Sequence, residues 1–342
     1  MKKKAVCMLL TAACAIMMTA CGGQSTQSQD TAQEATEEAV EETEAAEEAD
    51  ASKETTEAGE VNAIISMAPS VTHILIDLGL EDKIVAIDSY SQMNYGEYLA
   101  RDIPVFDMMN PDNEALVAMA PDVIFTTGMS AAGGTDVFAS VREAGTNIID
   151  LESEHTIDEI MANLQMIGDA VGEGAKAKEL VDEMRASVEE LKAIGASIPE
   201  EERKTVFYEF STPTPDFPQI YTCGKNTYIS EMLSVIGAVN IGDEHAEDWI
   251  TYSEEEAVAA NPDVIMTTDT YTPDVINVIL NMEGWENVTA VQNGEVYLPD
   301  ADTVNQPNHH IVSAMIEMGQ MLYPDYYADV VDPFEEVLDN AA

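Results

Sequence analysis

From residue 61 onward, short apolar runs alternate with stretches in which apolar residues recur at helical spacing. Runs rich in Val, Ile and Thr predict strands at Ala63–Ser66, Ile84–Asp88, Val123–Thr127, Asn147–Asp150, Thr205–Phe210, Val264–Thr268 and Glu295–Leu298. Segments such as Val71–Leu78 and Glu114–Met119 between them read as helices. Such alternation argues for parallel sheets covered by helices. The longest helical pattern runs from about Thr156 to Ala196, with Ile160, Leu164, Ile167, Leu180, Met184, Val188 and Leu191 in register. Gly172 and Gly174 interrupt it, so the continuous helix is expected to start near Glu173. About 22 residues of helix span roughly 33 Å, enough to cross from one lobe to another.

An internal repeat sharpens this. Residues 114–127 read Glu-Ala-Leu-Val-Ala-Met-Ala-Pro-Asp-Val-Ile-Phe-Thr-Thr, and residues 255–268 read Glu-Glu-Ala-Val-Ala-Ala-Asn-Pro-Asp-Val-Ile-Met-Thr-Thr. Each copy is a helix stopped by Pro-Asp and followed by a buried strand. A weaker echo links Val71–Gly79 to Ile229–Gly237. The separation is too long for a solenoid, so it predicts two lobes of similar architecture. The expected division is a first lobe over 61–155, a bridging region over 156–200 and a second lobe over 201–342.

The first 60 residues differ in kind. Three lysines at positions 2–4, an apolar run from Ala5 to Met18 and the small pair Thr19-Ala20 read as a secretory signal over 1–20. Cys21 directly after that pair resembles a bacterial lipobox, which implies lipidation at Cys21. More than one acyl chain would make the anchorage lasting. Residues 22–60 hold 13 acids, one lysine and no aromatic residue. They read as an extended acidic tether over 21–60, because so little apolar surface cannot offset the entropy of ordering.

The body beyond the tether carries 52 acids against 10 bases. That balance excludes nucleic acid as a partner, since phosphate binding needs a Lys/Arg footprint. Cys7 and Cys14 lie in the signal and Cys21 is the lipid site, so Cys223 is left without a disulfide partner or a cysteine-based metal site. Ser70 and Ser130 sit in no nucleophile elbow, and neither a phosphate loop nor a dinucleotide fingerprint follows the first strand. An enzyme is not expected.

Several motifs in order carry a resemblance. Ile64-Ile65-Ser66-Met67-Ala68-Pro69-Ser70-Val71-Thr72 resembles the opening strand and loop of the iron-complex and cobalamin binding proteins of ABC importers. Asn113-Glu114-Ala115-Leu116 with Pro121-Asp122-Val123-Ile124, the run Ile220–Tyr228, and the second copy over Ser253–Thr268 are similar to later family motifs. So are Gly284-Trp285-Glu286-Asn287-Val288 and the run Val291–Tyr297. The resemblance covers essentially all of 61–330. It implies an α/β fold of two doubly wound, Rossmann-like lobes with mostly parallel sheets, joined by one long bridging helix, with the ligand in the cleft between them. It also implies an extracytoplasmic, lipid-anchored monomer that hands its ligand to a membrane permease and its ATPase, with no cofactor or resident metal of its own.

The resemblance assigns the matched glutamates Glu114 and Glu255 to permease docking, one on each lobe. Two anionic knobs at fixed spacing make a bivalent dock. Trp249, four residues before Ser253, falls where similar proteins place a cleft tryptophan. Tyr90, Tyr95, Tyr221 and Tyr271 lie near predicted strand ends, where rigid aromatics suit a large, partly apolar chelate or macrocycle. Met108, with methionines at 93, 109 and 129, offers an adaptable wall. Lys225 is a base close to these loops. Asp302 and His309 precede the last long helix, and His309 is expected to hydrogen-bond a ligand or ligate its metal. Adjacent His309 and His310 are not expected to share one centre, and His73 reads as structural. With so few bases, a ferric hydroxamate-type siderophore is favoured over an anionic catecholate. A corrinoid is the alternative, although Met108 and Thr127 stand where cobalamin binders often place aromatics. A surface sensor or adhesion protein on the same fold is the reading from another class.

Overall fold

The computed structural model describes residues 60–99, 101–131, 134–214 and 216–335. The expected signal over 1–20, the lipid site Cys21 and the tether up to residue 59 lie outside the described residues. No helix among the described residues is long and apolar enough to cross a membrane.

The first lobe is a five-stranded parallel sheet. Its strands are β1 (Ile64–Ser66), β2 (Ile84–Asp88), β3 (Val105–Phe106), β4 (Val123–Thr127) and β5 (Ile148–Leu151), in the order β3-β2-β1-β4-β5. Its helices are α1 (Pro69–Asp77), α2 (Ser89–Tyr95), α3 (Asn113–Ala118) and α4 (Ala139–Glu143). β1, β2 and β4 are almost wholly buried, as parallel strands covered on both faces must be.

The second lobe holds β6 (Thr205–Glu209), β8 (Val239–Asn240), β10 (Val264–Thr267) and β11 (Val296–Tyr297) in a parallel sheet of order β11-β10-β6-β8. Beside it, β7 (Gln219–Cys223) and β9 (Trp249–Ser253) form an antiparallel ribbon. Its helices are α7 (Tyr228–Val235), α8 (Glu254–Ala260), α9 (Val275–Leu280), α10 (Thr289–Asn293), α11 (Ala301–Asn305), α12 (Ile311–Leu322) and α13 (Pro324–Tyr327).

Between the lobes run α5 (Ile157–Val171) and α6 (Gly174–Ser197), turned by Gly172 in the left-handed conformation at φ 83°. Thr156 opens α5 with a reciprocal capping box to Glu159. Ile157, Ile160 and Met161 enter the core of the second lobe, whereas Leu164, Ile167 and Val171 enter that of the first. On α6, Ala177 belongs to the first core and Met184 and Leu191 to the second, while Leu180 and Val181 touch both. The long bridging helix is therefore present at 24 residues, and a second helix lies along it.

The repeat is visible in the backbone. Ala120 and Asn261, each just before Pro-Asp, both take positive φ, 46° and 47°. Asp122 Oδ2 accepts from the backbone N–H groups of Asn62 and Ala63 at 2.8 and 2.9 Å, tying the entry of β1. Asp263 Oδ2 accepts from the Thr205 N–H at 2.9 Å, tying the entry of β6. The Pro-Asp pair thus ends a helix and also pins the neighbouring central strand.

One glycine fixes how closely the bridge approaches the second lobe. A Cβ on Gly195 would lie 2.2 Å from the Val235 carbonyl oxygen and 2.8 Å from the Gly237 nitrogen. Alanine favours an exposed helix over glycine by about 1 kcal/mol. Displacing two backbones costs about 1–3 kcal/mol, so the clash wins. Gly195→Ala is expected to lower the urea midpoint with an unchanged slope, whereas a stabilised variant would mean that α6 shifts freely.

Candidate functional site

In an open parallel sheet, the crevice suited to a ligand opens where successive connections leave the central strands in opposite directions. In the first lobe that point is the end of β1, with β2 on one side and β4 on the other. In the second it is the end of β6, flanked by β8 and β10. Both ends carry buried polar groups. At the first, Thr72 Oγ1 donates to Ser66 Oγ at 2.8 Å and lies 2.8 Å from Ser91 Oγ, which in turn donates to Asp88. At the second stands Glu209, wholly buried, with neither carboxylate oxygen in a well-formed hydrogen bond.

Three aspartates shape the loops that follow the strands. Asp88 Oδ1 accepts from the Tyr90 N–H at 2.8 Å, Asp107 Oδ1 from the Met109 N–H at 2.8 Å, and Asp269 Oδ1 from the Tyr271 N–H at 3.0 Å. Each is a local turn closed by a side-chain carboxylate onto the backbone two residues on. Each turns the second residue outward. Tyr90 is 51% exposed, Met109 44% and Tyr271 83%, unusual values for large apolar side chains. Met93, on α2 beside Tyr90, is also exposed.

The β7–β9 ribbon adds a second aromatic group. Tyr221 and Trp249 lie on its exposed face, Tyr221 opposite Thr251 and Trp249 opposite Cys223. Trp249 packs edge-on against Phe210 at 5.4 Å between ring centroids, and Phe210 packs similarly on Tyr208 at 5.0 Å. Lys225 is exposed in the turn after β7, where its backbone N–H donates to the His245 carbonyl at 3.0 Å. The two lobes thus present aromatic and thioether side chains at strand ends, with little positive charge among them.

Glu114 and Glu255 occupy the same place in each lobe. Both are exposed second residues of short helices, α3 and α8. Asp112 and Ser253 cap those helices by accepting from the Ala115 and Glu256 N–H groups.

A family model described as periplasmic binding protein matches residues 64–303. The chain belongs to the periplasmic binding protein family. This periplasmic binding protein is 30% identical over 270 residues to YvrC of Bacillus subtilis, an uncharacterized ABC transporter substrate-binding lipoprotein, with 79% of this chain and 82% of the relative covered. Among solved structures it is similar to a possible iron-binding periplasmic solute-binding protein of Staphylococcus epidermidis, at 28% identity and a TM-score of 0.66, covering 77% of this chain and 99% of the other. It also resembles the periplasmic vitamin B12 binding protein of Vibrio cholerae, at 25% identity and a TM-score of 0.61, covering 77% and 97%.

Not every expected ligand contact is accessible in this periplasmic binding protein. Met108 is 6% exposed and packs among Ile65, Met67, Leu116 and Phe138, because the Asp107 turn that exposes Met109 sends its neighbour inward. Tyr95 is buried, and its hydroxyl donates to Gln306 Oε1 at 2.5 Å across the lobes. His309 is fully buried against Asp77. These three serve packing and lobe contact. Asp302 is exposed yet accepts from Asn94 Nδ2 at 2.6 Å, again between lobes. Phe210 was not singled out in the sequence. Met109 was expected only beside Met108 in the methionine wall, and the Asp-x-Met pattern just after a strand is the signal that marks it as the outward one.

Burial pushes the Glu209 carboxyl up to about 8, and the nearby Asp269 charge adds to it. A carboxyl whose folded-state value is raised contributes its full stability below its unfolded value and loses it as pH rises through the folded value. Glu209→Gln is therefore expected to match the wild type near about pH 4 and to become progressively more stable toward about pH 9, by on the order of a few kcal/mol. Thermal melts of both proteins across that range test this, and a constant offset would show that Glu209 does not titrate in it.

Proposed function

We propose that this chain is the extracytoplasmic, lipid-anchored substrate-binding protein of an ABC importer, and that it captures a ferric siderophore-type complex in the cleft between its lobes. The observation that carries the reading is the display of Tyr90, Met109 and Tyr271 on aspartate-held turns at strand ends, together with Tyr221 and Trp249 on the ribbon. A binding protein for a large, partly apolar guest needs such rigid exposed aromatic area. Lys225 supplies one positive charge beside the ribbon, which suits a neutral or weakly charged hydroxamate chelate better than an anionic catecholate. Binding and delivery, rather than catalysis, fit an arrangement without a nucleophile–base pair among these side chains.

A corrinoid is the second reading. It is favoured by the likeness to a vitamin B12 binding protein at a similar level of identity. In either case Glu114 and Glu255 dock the loaded monomer on the permease, Cys21 carries the lipid, and the acidic tether sets the reach from the membrane. Because α5 and α6 pack into both cores, closure on the ligand is modest.

Three experiments test the reading. A thermal-shift screen of the full chain against ferric hydroxamates, ferric catecholates, haem and cobalamin is expected to give its largest rise with a hydroxamate. The largest rise with cobalamin would move the assignment to the second reading. Trp249→Ala should weaken that ligand by about tenfold or more, and should remove the fluorescence quenching, since Trp285 is buried in the second lobe. Glu114→Lys combined with Glu255→Lys is expected to abolish uptake by cells while leaving affinity unchanged. Undiminished uptake would refute the docking role.

A further inference from the structure

Where α1 meets the segment leading into α12, four side chains converge in the interior. His73 and Asp77 stand one turn apart on the same face of α1. His309 and His310 come from the other lobe, in the turn just before α12. Both place Nε2 at 2.9 Å from a single oxygen, Asp77 Oδ2. The His73 Nε2 lies 3.8 Å from the same atom. Adjacent histidines were expected to diverge, and they converge because the segment is still a turn at His309 and His310 only caps the helix.

The hydrogen-bonding potential of this cluster is poorly met. His310 Nε2 and Asp77 Oδ2 form a hydrogen bond. The His309 Nε2 is within reach of Asp77 without the alignment of one, and it has no other partner. His73 Nε2 and Asp77 Oδ1 are also buried without partners. The ion-pair partners of Asp77 among the described residues are histidines alone. Buried donors and acceptors left unpaired are costly, and three of these atoms are in that state.

We propose that His73, Asp77 and His310 form a zinc-type divalent cation site that ties the two lobes together, with His309 beside it. Two imidazoles and one carboxylate are a donor set that suits Zn2+. Ligand atoms of a tetrahedral zinc stand about 3.3 Å apart, and Asp77 Oδ2 lies 2.9 Å from His310 Nε2 and 3.8 Å from His73 Nε2. The ligand atoms of His73, Asp77 and His310 all lie within 4.8 Å of one another. An outer shell is in place on His73. Its Nδ1 is faced by the Tyr95 hydroxyl at 3.2 Å and by Asn308 Nδ2 at 3.4 Å, which turns Nε2 inward. Phe334 closes the His309 side at 4.8 Å between ring centroids.

This site is separate from the ligand-binding side chains, since α1 leads away from the end of β1 and Asp77 is its last residue. It would act as a staple across the lobe contact, joining α1 of one lobe to the start of α12 of the other. Its occupant is structural, and it does not depend on the identity of the transported ligand.

The test uses the full chain, stripped with EDTA, reloaded with Zn2+ and dialysed against excess Mg2+. Magnesium clears the many surface carboxylates, which offer oxygen ligands alone. About one zinc per chain is expected to remain, with a raised melting midpoint. Co2+ in place of zinc is expected to give the intense visible bands of a tetrahedral centre. His310→Gln, checked for folding by circular dichroism, is expected to weaken zinc by more than about tenfold. Zinc retained equally by His310→Gln, or by neither protein, would overturn the proposal and leave the cluster a hydrogen-bonded lobe contact. Should the variant not fold, the cobalt spectrum of the wild type decides alone, and weak bands like those of aqueous Co2+ would refute the site.

Discussion

Leu180 and Val181 on α6 pack against both hydrophobic cores at once, and α5 lies along that helix with its two ends in different cores. Burying an aliphatic side chain stabilises by about 1.5–3 kcal/mol, and tilting α6 would expose several of them together. The Gly195 contact adds a steric stop, because the helix backbone already touches the chain after α7. The lobes therefore cannot swing apart as freely as domains joined by loops. Hydrogen bonds across the lobes, from Asn94 to Asp302 and from Tyr95 to Gln306, act on the same contact. A ligand taken between such lobes meets a nearly formed site, which reduces the ordering needed on binding.

Much of the architecture was legible because parallel strands covered on both faces leave dense apolar runs. Ile84–Asp88 and Val123–Thr127 appear as strands with the bounds expected from the sequence. The repeat at Pro-Asp located β4 and β10, although the bonds by which Asp122 and Asp263 pin the neighbouring β1 and β6 were not foreseen. What escaped notice was short or irregular. β3 and β8 have two residues each, too few to show a period. The β7–β9 ribbon lies outside the strands expected from the sequence, since its pairing joins segments far apart in sequence.

The position of the candidate residues was more legible than their exposure. Several lie near strand ends as expected, but the direction each side chain takes depends on turns of two or three residues. Asp107 sends Met108 in and Met109 out, and composition alone does not reveal that choice. His73, read as structural on an apolar helix, is indeed buried there. Its i,i+4 partner Asp77 was the overlooked sign that polar chemistry sits on that face.

The two left-handed residues at the repeat are not equivalent. Asn261 tolerates its conformation well, and its side-chain oxygen also accepts from the Thr289 N–H at 2.8 Å, so the second lobe gains a bond where it bends. Ala120 holds the same backbone pose with only a methyl group. A left-handed alanine is disfavoured by about 1–2 kcal/mol, so the duplicated bend is a source of local strain in one half of the molecule and a point of anchorage in the other.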